Sequence, residues 1–557
     1  MTTVNEQRTD EQRTAVFRPA GTPEGLEDLR TLVNTAIDTL RDAHLVRRGP
    51  VLPGGPPAVA DAARRALAGP LLPERPEAPD EVFRELIAAY ANWAVDLTHP
   101  AAVARMQCPP ASVAIAAELV TATLNQSLHA WESGPFALEL ERYVVRELAG
   151  LAGYGPQSGG TLTAGGSVSN LMAVLAARDG VVTTPAGGTP FADGLAGTGR
   201  RPVILCSDAT HFSIGRAVGI TGIGEDAILR APADPTGRLL PDELDRMIAE
   251  LPADTVPVAI IACAGSTDEG WVDPLPELVT VAHKHGVWLH VDAAYGGGML
   301  LSPRLRGRLD GIADADSITM DLHKFGWTPA SAGVFLVREA RSLDALSQQT
   351  TTLNATDDKD AGYYGLYADS VQATRRVDAL KVAVTLRTHG RDGMAELVDR
   401  CHALAGHAAG RVAAEPRLEL AAAPALSTVL LRWLPGTDTG APGDAKVTRD
   451  TGMVAPGVGM IAPDTDPATP DTDPATPDPR TERADAFNGA LRRRLMSDGT
   501  ALLARTRVPR HDGTNPVFLK LMLLNPATTT EQLDLVVAGI VATAEAMEAE
   551  STPCGGA

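Results

Sequence analysis

The sequence predicts an α/β fold built around a mostly parallel sheet. Between Gly159 and Val337, short runs of aliphatic and β-branched residues alternate with segments whose apolar residues recur at helical spacing. This alternation is typical of strands joined by crossover helices, and ligands bind such sheets at the carboxyl ends of the strands. The predicted strands cover residues 202–206, 227–230, 256–263, 287–292, 317–320 and 333–337.

Helical periodicity dominates the sequence before this region. Apolar spacing predicts helices over residues 25–44 and 80–97, and two more within 111–151 that are separated at Ser133-Gly134-Pro135. Residues 1–22 are polar, and we expect them to be disordered.

A second, smaller α/β unit is predicted after the sheet region. A long helical stretch follows Arg375 to about residue 414, and further elements are predicted at 428–433, 484–496, 501–508, 517–523 and 530–549. The repeat DTDPATP occurs at 464–470 and again at 471–477. Two prolines per repeat exclude a helix, which predicts an exposed, disordered acidic insert over about 435–479.

Length and pattern together predict a division into three parts. A chain of 557 residues is too long for one ordinary core. We expect an N-terminal helical segment at 1–110, a large domain at 111–390, and a small α/β domain at 391–557 that contains the insert.

Composition limits the classes of partner. The net charge of −20 argues against a nucleic-acid partner, and we interpret it as the acidity of an ordinary soluble protein. The five cysteines include no CxxC pair and no histidine at metal-ligand spacing, which indicates a reducing compartment and no metal site. No apolar run reaches the roughly 18 residues of a membrane span, and the N-terminus lacks the apolar core of a signal peptide. We therefore expect no membrane association and a cytoplasmic location.

An acid and a lysine end two neighbouring strands. Asp292 closes a very apolar strand, and Lys324 follows the next one in Asp321-Leu322-His323-Lys324. A buried carboxylate needs a partner, and a protonated pyridine nitrogen can be that partner. A buried lysine loses its charge readily and can form a Schiff base. The pair therefore indicates pyridoxal 5'-phosphate chemistry, with a capping or metal-binding Asp292 as the alternative.

Two further segments fit a flat, phosphorylated ligand. Gly166 and Ser167 begin a helix after a glycine-rich turn, so free backbone N–H groups there suit a phosphate. His211 follows a strand and could stack on an aromatic ring. The alternative for Gly166 and Ser167 is a purely structural turn, and the alternative for His211 is an ordinary surface histidine.

Together, these segments resemble the group II pyridoxal 5'-phosphate-dependent amino acid decarboxylases. The resemblance runs from about residue 98 to 390 and resumes at 520–525. It includes Gln107-Cys108-Pro109-Pro110, Asn125-Gln126-Ser127 and Arg375-Arg376 with Ala379-Leu380-Lys381. The upstream segments, Gln107-Cys108-Pro109-Pro110 and Asn125-Gln126-Ser127, are especially similar to the diaminobutyrate decarboxylases of this family. The resemblance implies fold type I, an aspartate aminotransferase-like large domain, and a homodimer whose N-terminal helices clasp the second subunit.

The resemblance also implies roles for individual residues. Lys324 would be the Schiff-base lysine, Asp292 the partner of the pyridine nitrogen, and His211 the stacking ring, with His323 as a further catalytic residue. The implied cofactor-binding residues are Gly166, Ser167, His211, Thr267, Asp292, Ala294, Asp321, His323 and Lys324. The implied substrate-side residues are Arg375, Ser127 and His129, and the resemblance gives Arg105 and Met106 as further pocket positions.

The residue that protonates Cα stays open. Aromatic decarboxylases supply a tyrosine from a mobile loop, whereas the corresponding segment here, 348–354, contains none. Tyr363, Tyr364 and Tyr367 are the candidates, and oxidative side chemistry is the outcome if none of them acts.

The sequence predicts α-decarboxylation of an L-amino acid in specialised metabolism. The pocket positions are neither clearly acidic nor aromatic, so we expect a neutral aliphatic or aromatic substrate. The alternatives are another lyase, a decarboxylation-coupled oxidative deaminase, or L-2,4-diaminobutyrate decarboxylase. Aminotransferases of this fold usually carry a phosphate-binding arginine shortly after the Schiff-base lysine. The segment from Phe325 to Val337 contains no arginine, which disfavours an aminotransferase.

Overall fold

Two sheets organise the chain. The computed structural model describes residues 18–234, 236–346, 355–436, 479–510 and 514–551. The first seventeen residues, the segment 348–354 and almost all of the acidic insert lie outside the described residues.

The N-terminal part is helical, as predicted, with one addition. Helices α1 to α5 cover Pro23–Val46, Gly55–Ala66, Pro79–Trp93, Ser112–Leu124 and Pro135–Ala152. The prediction missed α2 because Pro56 and Pro57 signalled a break, whereas the structure has proline in the first turn of this helix. Proline is tolerated there because the first turn has no intrahelical partner for its N–H groups.

The large sheet contains seven strands in the order β1-β7-β6-β5-β4-β2-β3. Strands β1 to β7 are Gly159–Thr163, Arg201–Cys206, Ile228–Arg230, Thr255–Cys263, Trp288–Asp292, Ser317–Asp321 and Gly333–Val337. The pairs from β3 through β2, β4 and β5 to β6 are parallel, and β7 is antiparallel to both of its neighbours. The predicted mostly parallel α/β fold is confirmed.

Helices and short 3-10 turns connect these strands. The helices are α6 Gly166–Val181, α7 Pro190–Asp193, α8 Ser213–Ile220, α9 Pro241–Ala249, α10 Leu275–His285, α11 Leu322–Phe325 and α12 Thr356–Asp360. The 3-10 turns are Trp131–Ser133, Glu225–Ala227, Gly296–Leu301, Arg306–Leu309, Ile312–Asp314, Ala340–Leu346 and Tyr367–Asp369. The glycine-rich segment before α6 was predicted as a turn, but residues 159–163 form edge strand β1, which pairs with β7.

The second sheet lies in the C-terminal part and has the order β10-β11-β9-β8. Its strands are β8 Leu418–Leu420, β9 Thr428–Trp433, β10 Ala504–Arg507 and β11 Val517–Met522. Helices α13 Ala379–Ala414, α14 Pro479–Ser497 and α15 Thr530–Ser551 complete this part. The α13 backbone breaks at Gly390 (φ 64°, ψ −177°), close to the boundary predicted from the sequence. The three-part division of the chain stays a prediction.

Separate apolar cores support the two sheets. Leu205, Ile260 and Val291 lie completely or almost completely buried in the core of the large sheet, while Trp433 and Leu519 lie in the core of the small one. Fully burying a large apolar side chain stabilises a fold by roughly 1.5–3 kcal/mol. The packed core of the large sheet therefore holds the ends of its strands in place.

Within the described ranges, none of the helices combines the length and apolar character needed to cross a bilayer. The same ranges contain no cluster of three or more His, Cys, Asp and Glu side chains that could hold a metal ion.

Candidate active site

One cavity of about 220 Å³ opens at the carboxyl ends of the parallel strands. Parallel strands place the residues that follow them at one edge of the sheet, which brings distant parts of the sequence together. The cavity is lined by all nine residues predicted to bind the cofactor: Gly166, Ser167, His211, Thr267, Asp292, Ala294, Asp321, His323 and Lys324.

Asp292 is the last residue of β5 and is 7% exposed. Its Oδ2 accepts a hydrogen bond from Asn170 Nδ2 at 2.7 Å, and its Oδ1 accepts one from the Ala294 backbone N–H at 3.1 Å. Two donors offset much of the cost of burying this carboxylate and fix its orientation. Asp292 therefore presents a carboxylate, fixed by two hydrogen bonds, at the wall of the cavity.

Lys324 lies in the short helix α11 directly after β6. Its Nζ is 3.0 Å from Asp321 Oδ2, and the lysine side chain keeps 16% of its surface exposed. This exposure faces the cavity, because Lys324 is among its lining residues. A lysine amine that faces a cavity is placed to form a Schiff base with the aldehyde of a ligand bound there.

His323 and Asp321 flank the lysine. His323 Nδ1 lies 2.8 Å from the Ala332 carbonyl oxygen, which orients the ring, and its Nε2 is 3.8 Å from Asp321 Oδ2. Asp321 Oδ1 is buried and has no hydrogen-bond partner in the described part of the chain. An orphaned buried oxygen beside a cavity indicates that a bound molecule or water completes the site.

The turn before α6 forms a tight cradle. Gly165 has φ +105°, and a Cβ added at Gly166 would lie 3.2 Å from both Ala294 Cβ and Asp321 Oδ2. The sixteen-residue helix that starts here directs its first N–H groups, which lack intrahelical partners, toward the same cavity. A phosphate is the ligand that such a helix start favours.

His211 and Thr267 come from the loops after β2 and β4. His211 Nδ1 is 2.8 Å from Ser213 Oγ, and burial lowers the pKa of the ring by disfavouring its charged form. The Thr267 carbonyl accepts a hydrogen bond from Lys520 Nζ at 3.1 Å, and Lys520 also pairs with Asp268 at 2.7 Å. Strand β11 of the small sheet therefore helps to hold the loop that carries Thr267.

Of the predicted pocket and substrate-side residues, Met106 lines the cavity, whereas Arg105, Ser127, His129 and Arg375 do not. His129 bridges two serines, with its Nδ1 2.7 Å from Ser127 Oγ and its Nε2 3.1 Å from Ser133 Oγ. Arg375 is buried and donates to Glu141 Oε1 at 2.6 Å and to the Leu162 carbonyl at 3.0 Å. Ser127, His129 and Arg375 are not among the residues that line the cavity.

The candidate tyrosines contact the same substrate-side segment. The Tyr364 hydroxyl donates to Glu139, and the Tyr363 ring meets Trp131 edge-on with the ring centroids 4.9 Å apart. Neither tyrosine lines the cavity.

Sequence reasoning missed several lining or supporting residues, and two of them left a signal. Asn170 comes one helical turn after Gly166, on the helix face that follows the cradle. His290 precedes Asp292 by two positions, and alternate residues of a strand share one face. Cys263, Tyr295 and Ser331 also line the cavity without such a signal.

These features fit pyridoxal 5'-phosphate. A lysine for its aldehyde, a fixed carboxylate for its ring nitrogen and a helix start for its phosphate face one cavity.

Comparisons with known proteins agree with this fit. The model of the pyridoxal-dependent decarboxylase conserved domain matches residues 63–433, more than half of the chain. The L-2,4-diaminobutyrate decarboxylase of Rhizobium meliloti (strain 1021) is 41% identical over 344 residues, which cover 60% of this chain and 65% of that relative. The aligned part therefore spans slightly less than two thirds of that relative's length. The L-2,4-diaminobutyrate decarboxylase of Acinetobacter baumannii is 32% identical over 361 residues, with 63% and 71% covered.

A solved structure shares the fold over nearly the whole chain. The glutamate decarboxylase domain of a diaminobutyrate-pyruvate transaminase and L-2,4-diaminobutyrate decarboxylase from Vibrio parahaemolyticus superimposes with a TM-score of 0.77 at 26% identity. The match covers 97% of this chain and 99% of that one. The chain belongs to the family of pyridoxal-dependent decarboxylases, and pyridoxal 5'-phosphate is its cofactor.

Proposed function

We propose that this protein removes the α-carboxyl group of an L-amino acid and releases the amine and carbon dioxide. The observation that carries the proposal is the placement of Asp292 and Lys324 at neighbouring strand ends, facing one cavity. A reaction that leaves an electron pair on Cα needs both an attachment point and a sink for that pair.

The cofactor supplies an electron-accepting ring that stabilises the charge left on Cα when carbon dioxide departs. Asp292 would keep the ring nitrogen protonated, because its carboxylate is held by Asn170 and the Ala294 backbone. Gly166 and Ser167 would bind the phosphate at the start of α6, and His211 would cover one face of the ring.

Lys324 would hold the cofactor covalently. Its Nζ lies 3.0 Å from Asp321 Oδ2, so the carboxylate holds the amine at the wall of the cavity where the aldehyde would be bound. His323, whose Nδ1 is held by the Ala332 carbonyl, would contact the phosphate or the substrate. Thr267 and Ala294 would border the ring.

The substrate is the second part of the proposal. Two relatives carry the name L-2,4-diaminobutyrate decarboxylase, which makes this diamino acid the first candidate. The neutral aliphatic or aromatic amino acids expected from the sequence are the second candidate. Asp292 is already held by Asn170, and Asp321 pairs with Lys324 through Oδ2 while its Oδ1 has no partner in the described part of the chain. A second ammonium group would therefore need Asp321 Oδ1 or an acid from outside the cavity lining.

A single screen separates these possibilities from each other and from rival reactions. Purified holoprotein is given carboxyl-labelled L-amino acids, and carbon dioxide, keto acid and hydrogen peroxide are measured together. A decarboxylase releases carbon dioxide and amine in equal amounts, an aminotransferase forms keto acid, and an oxidative deaminase forms peroxide. Replacing Lys324 with Ala should abolish turnover, and full activity of that variant would refute the proposal.

We also propose a homodimer that shares its active sites. A groove between α4 and α5 is lined mainly by apolar residues, and Leu124 and Phe136 beside it are 60% and 77% exposed. Exposed apolar surface of this kind marks an interface, and a second copy of the chain is the occupant we propose. It would bring Ser127 and His129 to its neighbour's cavity, with Arg375 supporting that segment. Sedimentation of Leu124→Asp should show a shift to monomer; an unchanged size would contradict the dimer.

Four buried cysteines are free thiols in the described part of the chain. They support the proposal of a reducing, cytoplasmic location, which fractionation of cells that express the protein would test.

A further inference from the structure

A chain of buried polar side chains runs from the sheet interior to Asp292. Trp288 Nε1 is 2.9 Å from Ser317 Oγ, and that oxygen is 2.8 Å from His290 Nδ1. His290 Nε2 is 3.1 Å from Asn170 Oδ1, and Asn170 Nδ2 is 2.7 Å from Asp292 Oδ2. His290 and Ser317 are completely buried, and Asn170 is 1% exposed.

The direction of these hydrogen bonds is fixed at the Trp288 end. An indole nitrogen can only donate, so Ser317 Oγ accepts there and its hydroxyl hydrogen is available to His290 Nδ1. Burial lowers the pKa of His290 to about 4, so the ring is neutral near pH 7. A neutral ring whose Nδ1 accepts carries its hydrogen on Nε2, which then donates to Asn170 Oδ1. Thr319 Oγ1 lies 3.4 Å from the same nitrogen and is the longer contact.

This arrangement decides which end of the Asn170 amide faces the acid. With its oxygen turned toward His290, the amide nitrogen donates to Asp292 at 2.7 Å and to Ser213 Oγ at 2.9 Å. A rotated amide would place its oxygen against the Asp292 carboxylate and would leave His290 facing a donor. His290 therefore orients Asn170, and Asn170 orients Asp292.

The same amide reaches His211 through Ser213. Ser213 Oγ accepts from Asn170, so its hydroxyl hydrogen can donate to His211 Nδ1 at 2.8 Å. The Ser213 backbone N–H also points at this nitrogen, at 3.3 Å, which independently makes Nδ1 an acceptor. His211 therefore carries its hydrogen on Nε2.

We propose that Asn170 is a positioning residue, oriented by His290, that holds the Asp292 carboxylate and fixes the His211 tautomer for cofactor binding. The proposal rests on the cofactor roles proposed above for Asp292 and His211. It assigns a purpose to a fully buried histidine that the reaction itself does not use.

The first test replaces Asn170 with Leu in the full chain. The cofactor-free protein is titrated with pyridoxal 5'-phosphate, and the visible absorbance of the bound cofactor is recorded. Loss of a charge-assisted hydrogen bond should weaken binding by roughly tenfold or more and shift the absorbance band. Wild-type affinity together with a wild-type band would overturn the proposal.

Asn488 provides a matched control. It is completely buried in the C-terminal part, and its side chain also makes three hydrogen bonds, with Trp433 N, Trp433 O and Ala484 O. Asn488→Leu should lower the melting temperature as Asn170→Leu does, yet leave the cofactor titration unchanged. An equal loss of cofactor affinity in both variants would mean that Asn170 is merely structural.

The second test separates the two nitrogens of His290 and decides the matter even if Asn170→Leu does not fold. The amide nitrogen of Gln reaches the position of Nε2, whereas that of Asn reaches the position of Nδ1. Binding to His290→Gln should stay within about threefold of wild type, and binding to His290→Asn should weaken by roughly tenfold. Equal affinities of the two variants would overturn the proposed direction.

Failure of this inference is distinguishable from failure of the proposed function. If the wild-type chain shows no cofactor band that Lys324→Ala removes, the proposed function fails. If that band is present and neither the Asn170 nor the His290 variants alter it, only the positioning role fails.

Discussion

The cavity at the strand ends and the surface segment around His129 differ in where their polar groups point. In the cavity, Asp292 and Lys324 face the space that a ligand would fill. In the surface segment, His129 bonds Ser127 and Ser133 within its own chain. One chain therefore brings the proposed cofactor-binding residues to one cavity, whereas Ser127 and His129 would reach a cavity only in the dimer proposed above.

The difference has a physical origin. The residues proposed to bind the cofactor follow strands of one sheet, and the close-packed core of that sheet holds their backbone positions. The surface segment is anchored by a few contacts, such as the Leu128 carbonyl that accepts from Leu366 N at 2.9 Å. Variants on the two sides should therefore affect different measurements.

The largest effect is expected on the cofactor side. Asp292→Asn keeps the shape of the side chain but removes the charge that would keep the ring nitrogen protonated. We expect the turnover number to fall by roughly 1000-fold with little change in KM, as when an electrostatic stabiliser is removed. Steady-state kinetics on the cofactor-loaded variant checks this. A rise in KM with an unchanged turnover number would assign Asp292 to substrate binding instead.

A variant of Arg375 tests whether this residue, which was predicted to bind substrate, has a structural role instead. Arg375→Met leaves the buried Glu141 carboxylate without its cation and should lower the free energy of unfolding by about 3 kcal/mol or more. Arg376→Met is the matched control, because that side chain is half exposed and should cost less than about 1 kcal/mol. Urea unfolding measures both variants. A stable Arg375→Met protein with a raised KM would place this arginine at the substrate.

The buried His290 should make the free energy of unfolding depend on pH. Burial lowers its pKa from 6.5 to about 4, so the unfolded chain binds a proton at a pH where the folded chain does not. Stability from this group is present above about pH 6.5 and is lost as the pH falls toward 4, by up to about 3 kcal/mol. His290→Gln should remove this slope in unfolding experiments between pH 7 and 4. His44→Gln, at an exposed histidine, should keep it.

The smallest expected effect is on the substrate side. His129→Ala removes the link between Ser127 and Ser133 and should raise KM by roughly tenfold. Cofactor affinity should stay at the wild-type value, because the residues proposed to bind the cofactor in each cavity all come from one chain and do not include His129. If cofactor affinity fell while KM rose, the two sides would not be separable as described.

The sequence predicted correctly that nine residues from separate segments lie together, because all of them follow strands or a turn at one edge of the sheet. A carboxylate that ends an apolar strand, as Asp292 does, can be recognised from the residues alone. The boundaries of the strands predicted in the large sheet agreed to within one residue, since β-branched runs and turns mark them, whereas β10 begins three residues after its predicted start at 501. Edge strand β1 was missed because its glycines resemble a turn.

The supporting network could not be predicted in the same way. Asn170, Ser213 and His290 come from a helix, a second helix and a strand, and only the packed fold brings them together. A buried histidine on an apolar strand also resembles an ordinary core residue until its partners are known. The substrate-side residues were predicted from resemblance, and the local sequence does not show that Ser127, His129 and Arg375 lie outside the lining of the cavity.

Reduction of the holoprotein with sodium borohydride, followed by peptide mass spectrometry, tests the cofactor side most directly. Reduction fixes the cofactor to the lysine that holds it. We predict one pyridoxyl group per chain, on the peptide that contains Lys324. A label on Lys381 or Lys520, both of which are buried and paired with acids, or no label at all, would contradict this account.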